Sequence, residues 1–377
     1  MSATATFINL ASRIDGSFCE GGGQLIRNTV SLAALLSKPI LIDSVRSNRT
    51  PPGLRKQHES GIKLAAEICS AETSNIFVGS THVGFRPGHI QLPKTLIAEP
   101  GTAASTALLL QVALPCLLFS SDQVPPSVLT LRGGTNASQA PQIDYTRIIF
   151  LPFLKRHFGL DILLKVQKRG YFPKGGGSVY CSIQPVTGPL PAVSLTERGG
   201  VVAVKGEARV GGLPITIANE MSSAAKTRLI RGGLPREIIR IDTLREKPTD
   251  VHGKGGGIVL WAETENGCII GGTSVSVQST EPREVGEEAA IQLLANLQYG
   301  QCVDEYLQDQ IIIFLALAKG TSTVRTGPLT DHTKTAIHIA QLMTGAEFRI
   351  TKALTESEVS GTCIITCDGV GFTPLEK

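Results

Sequence analysis

The chain has 377 residues, 42% of them hydrophobic and 18% charged, enough to bury a full core with a second domain beside it. A net charge of +4 is too small to coat a nucleic acid, and aromatics at 5% are too few for a broad base-stacking platform, so any nucleic-acid contact should be local. Eight scattered cysteines include no C-x-x-C pair, which speaks against a zinc site and for a reduced intracellular protein.

The opening "MSATATFINLASR" has no signal-type apolar core. "EGGGQ" at 20–24 then runs into a helix with apolar Leu25, Val30, Leu32, Ala33 and Leu36. Glycines let a backbone approach phosphate, a helix start favours anions, and Arg27 stands one turn in. A tight strand-to-helix turn explains the glycines as well, and neither the Walker nor the dinucleotide fingerprint is present. "KPILIDSV" reads as a strand. "VRSNRTPPGLRKQH" gathers Arg46, Arg49, Arg55, Lys56 and His58. Pro51-Pro52-Gly53 forbids a regular helix, leaving either a plain solvated loop or a shaped one that holds guanidinium groups on a phosphate or RNA backbone. "GIKLAAEICSA" reads as a helix. The apolar run "TALLLQVALPCLLF" is interrupted by Gln111 and Pro115, so no membrane span is expected, and the Gln111 amide needs a partner.

"VLTLRGG" is a predicted strand, "YTRIIFLPFLKRHFG" a helix and "GSVYCSIQPV" a strand, an α/β pattern with antiparallel pairs. Glycine runs recur at 20–24, 173–178 and 253–258, with "GGT" turns at 133–135 and 271–273, and suggest duplicated α/β units. After the seam "QPVTGPLPAV" come a strand "VVAVKGEARV", a helix "PITIANEMSSAAKTRLIR", "GGIVLWAETENGCIIGG" and a helix "EVGEEAAIQLLANLQYG". This reads as a small α/β domain over 188–292, inserted into a large domain formed by 1–187 and 293–377.

In "VDEYLQDQIIIFLALAKG", Val303, Leu307, Ile311, Phe314 and Ala318 form a buried stripe on one helix, while Tyr306, Asp309 and Gln310 make a polar face. Tyrosine can stack on a base while Asp and Gln pair with its edge or with ribose; a polar cap network is the plainer alternative. In "GPLTDHTKTAIHIAQLMTG", Ala336, Ile339, Ala340 and Met343 mark a helix capped by Thr330 and Asp331 and ended by Gly345. His338 is expected opposite the apolar stripe, on a solvated face, so His332 and His338 make no metal pair. His332 falls in the first turn, where unpaired N–H groups seat a phosphate and the dipole keeps imidazole neutral and nucleophilic. Taken alone, the segment fits a capping histidine without chemistry better.

Together these stretches are more specific. From about residue 14 to the C-terminus the chain resembles the RNA 3′-terminal phosphate cyclase family, through "DGSFCEGGGQLIR", "RSNRTPPGLRKQH", "GGTNASQAPQIDY", "RGYFPKGGG", "VDEYLQDQ" and "GPLTDHTKTAIH". "APQIDYT" and "HTKTAIH" look most like the eukaryotic branch. The resemblance implies repeated α/β units with an inserted small domain. It implies ATP-driven conversion of an RNA 3′-phosphate to a 2′,3′-cyclic phosphate through a histidine–AMP intermediate. His332 matches the nucleophile position. Gln111 and the run Tyr306, Leu307, Gln308, Asp309 and Gln310 match nucleotide-binding positions, and Glu20, Arg27, Arg46, Arg49 and Gln57 match polar active-site positions. ATP with Mg or Mn, and RNA bearing a 3′-phosphate, are the implied cofactors and partner, with no obligate protein partner and no membrane. The resemblance places the protein in the nucleus, with the cytoplasm as a second location. The chain departs from the family in "RSNR", where relatives often have "RAGR", and in "SVSVQSTEPRE", which replaces a basic loop. A noncatalytic ribosome-assembly relative is the rival, but its hallmark is loss of the histidine kept here as His332. A lysine nucleotidyl transferase would need K-x-D-G, and "RIDG" and "TCDG" lack the lysine; a paired H-x-[ST] phosphodiesterase fails at Lys334.

Overall fold

A computed structural model describes residues 11–19, 21–277, 280–352 and 361–374. The glycine turn at 20–24 gives way to α1 (Gly23–Leu36), whose Leu25, Val30, Leu32 and Ala33 are fully buried as their spacing requires. α1 lies between β1 (Ser12–Asp15) and β2 (Ile40–Asp43), in which Ile40 and Ile42 face the core alternately. α2 (Lys56–Cys69), β3 (Glu72–Ser74) and β4 (Val83–Arg86) complete a β-α-β-α-β-β unit. A second unit follows: β5 (Thr95–Ala98), α3 (Thr106–Leu117), β6 (Ser127–Gly133), α4 (Leu151–Phe158), β7 (Ile162–Gly170) and β8 (Gly177–Ile183). α3 continues through Pro115, and a π-helical stretch, Thr146–Phe150, leads into α4.

The next strand is β9 (Ser194–Leu195). Then come β10 (Val201–Gly211), α5 (Ile215–Arg231), β11 (Ile239–Arg245), β12 (Val251–His252), β13 (Gly255–Thr264), β14 (Ile269–Val275) and α6 (Pro282–Gln298). The chain ends with α7 (Glu305–Gln310), α8 (Ile312–Leu317), β15 (Lys319–Thr326), α9 (Asp331–Thr344), β16 (Glu347–Lys352) and β17 (Cys363–Val370). The single helix expected over 303–318 is therefore two short ones that meet at Ile311, although Val303, Leu307, Ile311, Phe314 and Ala318 are all buried.

The sheets show the duplication that the glycine runs suggested, although the runs at 253–258 and 271–273 lie in the insert and not in a repeat. Their orders are β1-β2-β4-β3, β5-β6-β8-β7 with β12 added at the edge, and β9-β15-β17-β16. In each, the first two strands are parallel and the other pairs antiparallel, apart from the added β12, which runs parallel to β7. The same unit thus occurs three times, and in the third the first strand is β9, separated from the rest by the insert. Ser194 and Leu195 pair with Thr323 and Val324, and Lys319 N–H donates to Leu190 O at 2.8 Å. Residues 190–195, inside the stretch that composition assigns to the insert, thus belong to the third sheet, and α6 runs on past 292 to Gln298. Pro and Gly mark turns along a chain, not membership of a sheet. The insert's own sheet is β11-β10-β13-β14, packed against α5 and α6 around a separate core. Arg198 Nη1 donates to Leu297 O at 2.9 Å and draws its two ends together. The expected "GGT" turn at 271–273 lies within β14: a Cβ on Gly272 would sit 2.5 Å from Ala289 O and 2.6 Å from Leu293 N, so glycine there lets α6 lie on the strand.

Polar contacts dock the insert on the body. Asp304 accepts from Tyr145 Oη (2.5 Å) and Gly271 N (2.7 Å) while capping α7. Gln142 accepts from Asn136 Nδ2 at 2.6 Å and donates to Ile258 O and Ser274 O, each at 3.1 Å. Buried Asp144 meets Arg169, which also reaches Glu246 at 3.0 Å. Burial pushes the Asp144 carboxyl up, but the Arg169 guanidinium outweighs it and holds the group at about 2. Among the described residues no helix is long and apolar enough to cross a membrane.

Candidate active site

The glycine turn, the arginine loop and the start of α2 form one electropositive corner. α1 begins at Gly22 with no side-chain cap, which leaves its first N–H groups for an anion. A Cβ on Gly23 would lie 2.5 Å from His58 Nε2 and 3.0 Å from Arg27 Nη1, so both side chains close over this position and a larger residue would displace them. Arg27 Nη2 is oriented by Gln24 Oε1 at 2.5 Å. After the prolines the loop runs through Gly53 and Leu54 to the N-cap Arg55, and α2 starts at Lys56, so Gln57 and His58 stand in a helical first turn. His58 Nδ1 accepts from Arg55 N–H at 3.0 Å, which assigns its proton to Nε2, beside Gly23. Burial, then Arg27, Arg46 and Arg55, depress His58 to about 3, so it is a neutral donor among guanidinium groups. Arg46 adopts a left-handed φ of 53° and donates to Gly53 O at 3.1 Å. Burial, followed by Arg55 and Arg49, lowers its pKa. Asn48 Nδ2 donates to Ser17 O at 3.0 Å and ties the arginine loop to the glycine turn.

The remaining expected residues divide. Gln57 clasps the backbone at the start of α3: Oε1 accepts from Ser105 N at 2.5 Å and Nε2 donates to Ser105 O at 3.4 Å. Gln111 is half-buried on α3 and makes no side-chain hydrogen bond among the described residues. Glu20 lies outside the described residues. On α7, Asp309 faces Arg27; burial pushes its carboxyl up to about 7, with Arg27 opposing. Gln310 donates to Tyr306 O at 2.7 Å, and its buried Oε1 has no partner. Tyr306 packs edge-on against Tyr145, and its hydroxyl accepts from Gln292 of the insert at 2.7 Å. Leu307 is core, 1% exposed, and its side chain has nothing polar to offer a ligand.

Gln308, expected at the nucleotide, is turned the other way. It is 1% exposed, and Oε1 accepts from Thr330 N (3.1 Å) and Thr333 Oγ1 (2.5 Å). Its Nε2 donates to Thr326 Oγ1 and to Pro328 O, the latter at 3.3 Å. One amide thus pins the strap from β15 into α9. Thr330 caps α9 by accepting from Thr333 N at 3.1 Å, as its sequence signals. His332 is exposed in the first turn, next to the Asp331–Lys334 ion pair of 2.9 Å. α9 packs on α1. His338 is not on a solvated face: it is half-buried, its ring stacked on Phe18 of the glycine turn with centroids 3.9 Å apart. The wheel placed it correctly away from α9's apolar stripe, but a second element covers that side.

The fold therefore brings Arg27, Arg46, Arg55 and His58 together, sets Asp309 against Arg27, and lays the turn that precedes Arg27 along the helix bearing His332. Sequence reasoning had His58 in a basic stretch but not its orientation, and passed over Phe18, Ser105 and Thr333. Each of these works through a partner far away in the chain, and local spacing carries no signal for that.

A profile of the RNA 3′-terminal phosphate cyclase family matches residues 18–350. Similar proteins include a probable RNA 3′-terminal phosphate cyclase of Dictyostelium discoideum, 40% identical over 97% of this chain and 84% of that one. RNA 3′-terminal phosphate cyclases of Drosophila melanogaster and Pyrobaculum neutrophilum are 38% and 36% identical, over 95% and 96% of this chain and 96% and 100% of theirs. With matches spanning all three repeats and the insert, the chain belongs to the RNA 3′-terminal phosphate cyclase family.

Proposed function

We propose that the protein uses ATP to convert an RNA 3′-phosphate end into a 2′,3′-cyclic phosphate, with His332 as nucleophile. The observation that carries this reading is His332 in the first turn of α9, with that turn pinned by Gln308 and the helix packed on the element that begins at the glycine turn. An imidazole nitrogen of His332 attacks the α-phosphorus of ATP; a P–N bond forms, the bond to the bridging oxygen breaks, and pyrophosphate leaves. An oxygen of the RNA 3′-phosphate then attacks the adenylate phosphorus and frees the imidazole. Finally the neighbouring 2′-oxygen attacks the 3′-phosphorus, loses its proton, and AMP departs.

The residues present suit these charges. The uncapped start of α1, Arg27 and His58 Nε2–H are donors for phosphate oxygens. Arg46 and Arg49, on one shaped loop, are fitted to the terminal RNA phosphate, because forked donors distinguish a phosphate from a hydroxyl. Tyr306, Asp309 and Gln310 are assigned to the nucleotide; the unpaired Gln310 Oε1 is a buried acceptor, and a base or ribose can supply its missing donor. Gln111, unbonded on α3, is assigned there too. A magnesium or manganese ion would arrive held by the phosphates of ATP. A nuclear location rests on family resemblance, and retention of His332 disfavours the noncatalytic reading. The test is incubation with ATP labelled at the α-phosphate. Label should bind the protein through an acid-labile, alkali-stable bond, and label that stays on His332→Ala would refute the nucleophile.

A further inference from the structure

Phe77 and Val78 form an apolar tip on the turn between β3 and β4, 57% and 52% exposed. Their place is more telling than their exposure. Leu54 N donates to Ser80 O (2.9 Å), Gly79 N to Leu54 O (2.8 Å) and Val45 N to Thr81 O (2.9 Å), which fuses this turn to the loop carrying Arg46, Arg49 and Arg55. The two backbones touch so closely that a Cβ on Gly53 would lie 2.3 Å from Gly79 O. Ser80 N–H closes the tip on Phe77 O at 3.1 Å. The backbone that carries the ring is thus held against the cationic loop.

The acidic groups nearby are already engaged. Glu59 pairs with Lys56 (3.3 Å) and Lys63 (2.5 Å), Glu72 with Arg86 (3.4 Å), and Asp43 lies 3.7 Å from Arg13 and 3.8 Å from His82. Burial, followed by Arg55 and Arg49, lowers the pKa of Arg46, which marks the loop beside the tip as electropositive. An exposed ring on a turn bonded to an arginine-bearing loop matches a single nucleic-acid strand, whose phosphates follow the charge while a base stacks on the ring. Resting on the function proposed above, we infer that Phe77, flanked by Val78, is the platform on which a base close to the 3′-phosphate of single-stranded RNA stacks. The ring would thereby hold the strand while the arginine loop takes its phosphate end. Since every base has a flat apolar face, the contact tolerates any sequence.

The experiment measures binding of a single-stranded RNA carrying a 3′-phosphate, by fluorescence anisotropy, and of the same RNA with its last three residues abasic. Phe77→Ala should weaken binding of the intact RNA about 5- to 150-fold, the usual worth of one base–aromatic stack. Phe77→Tyr, which keeps a ring, should bind about as the wild type does. On the abasic RNA the alanine variant and the wild type should bind alike. Intact-RNA affinity equal to wild type in Phe77→Ala overturns the platform, as does an equal loss on the abasic RNA or a tyrosine variant as weak as alanine. Self-labelling with ATP, which needs no RNA, monitors the fold; a parallel loss of labelling also overturns the inference. Failure of the wild type to label or cyclise would instead refute the function itself.

Discussion

Replacing Gln308 by alanine removes one acceptor shared by Thr330 N–H and Thr333 Oγ1, and one donor shared by Thr326 Oγ1 and Pro328 O. The site is buried, so the stranded groups gain little water in return, and each costs about 1–3 kcal/mol. Because the four contacts share one side chain and partly relax together, the expected total is about 2–4 kcal/mol of stability. A smaller part falls on the reaction, through looser placement of the first turn of α9; about 1.4–2.8 kcal/mol on the barrier slows adenylation roughly ten- to a hundredfold. Urea unfolding measures the first quantity, and single-turnover labelling with α-phosphate-labelled ATP measures the second. The signature of a positioning role is a lower rate at saturating ATP with a nearly unchanged half-saturating concentration. Thr333→Val should cost less in the Gln308→Ala background than in the wild type, since there only its 3.0 Å contact with Thr330 Oγ1 remains to be lost. An unchanged maximal rate with a raised ATP requirement would refute the reasoning and return Gln308 to the nucleotide.

Four further outcomes are expected. His332→Ala should abolish protein labelling, whereas His338→Ala should keep it and lose about 1 kcal/mol of stability with the Phe18 stack, read by urea titration. Arg46→Ala should retain part of its self-labelling but transfer AMP to 3′-phosphate RNA at least tenfold more slowly from pre-formed enzyme–AMP, and lysine should restore only part of the rate. His58, depressed to about 3, stays neutral in the fold while the unfolded chain takes up a proton below 6.5; stability should fall on acidification between these values, by up to about 1.4 kcal/mol per pH unit, and His58→Asn should flatten that slope in pH-dependent unfolding. Asp309 has the opposite sign: its raised pKa of about 7 gives stability present in acid and lost as pH rises through 7, so Asp309→Asn should raise the melting temperature more at pH 8 than at pH 5.

Local order was legible in the sequence where one element decides its own fate. Thr330 and Gly345 bound α9 as expected, Ala336, Ile339, Ala340 and Met343 face the core, and the proline-glycine loop holds its arginines. What stayed hidden depends on the second partner. The polar face of α7 could be read, but not that Gln308, between its members, turns to the strap before α9. His338 could be placed on α9's less apolar side, but not beneath a phenylalanine from the opposite end of the chain. Gly272 looks like part of a turn because the helix that demands it comes later and packs from above, while Gly271 is crowded by Tyr145 and Ile149 of the body. Residues 190–195 look like part of the insert because a two-residue strand has no periodicity to show. Glycine, amide and histidine are the residue types whose role is set by what approaches them, so a single sequence constrains them least.

The position of β9 has a consequence for how the molecule assembles. This strand is synthesised before the insert, and its partner β15 after it, so the third sheet must close a very long loop, which is entropically costly in an open chain. The insert has its own core and needs neither β9 nor β15 to bury it. Once it folds, its ends meet where Arg198 grips Leu297, and the long loop shrinks to a short one. A folded insert should therefore ease closure of the third sheet, the one whose strand β15 leads into α9. On this account His332 is expected to find its place late, after the corner formed by Arg27, Arg46, Arg55 and His58 in the first unit.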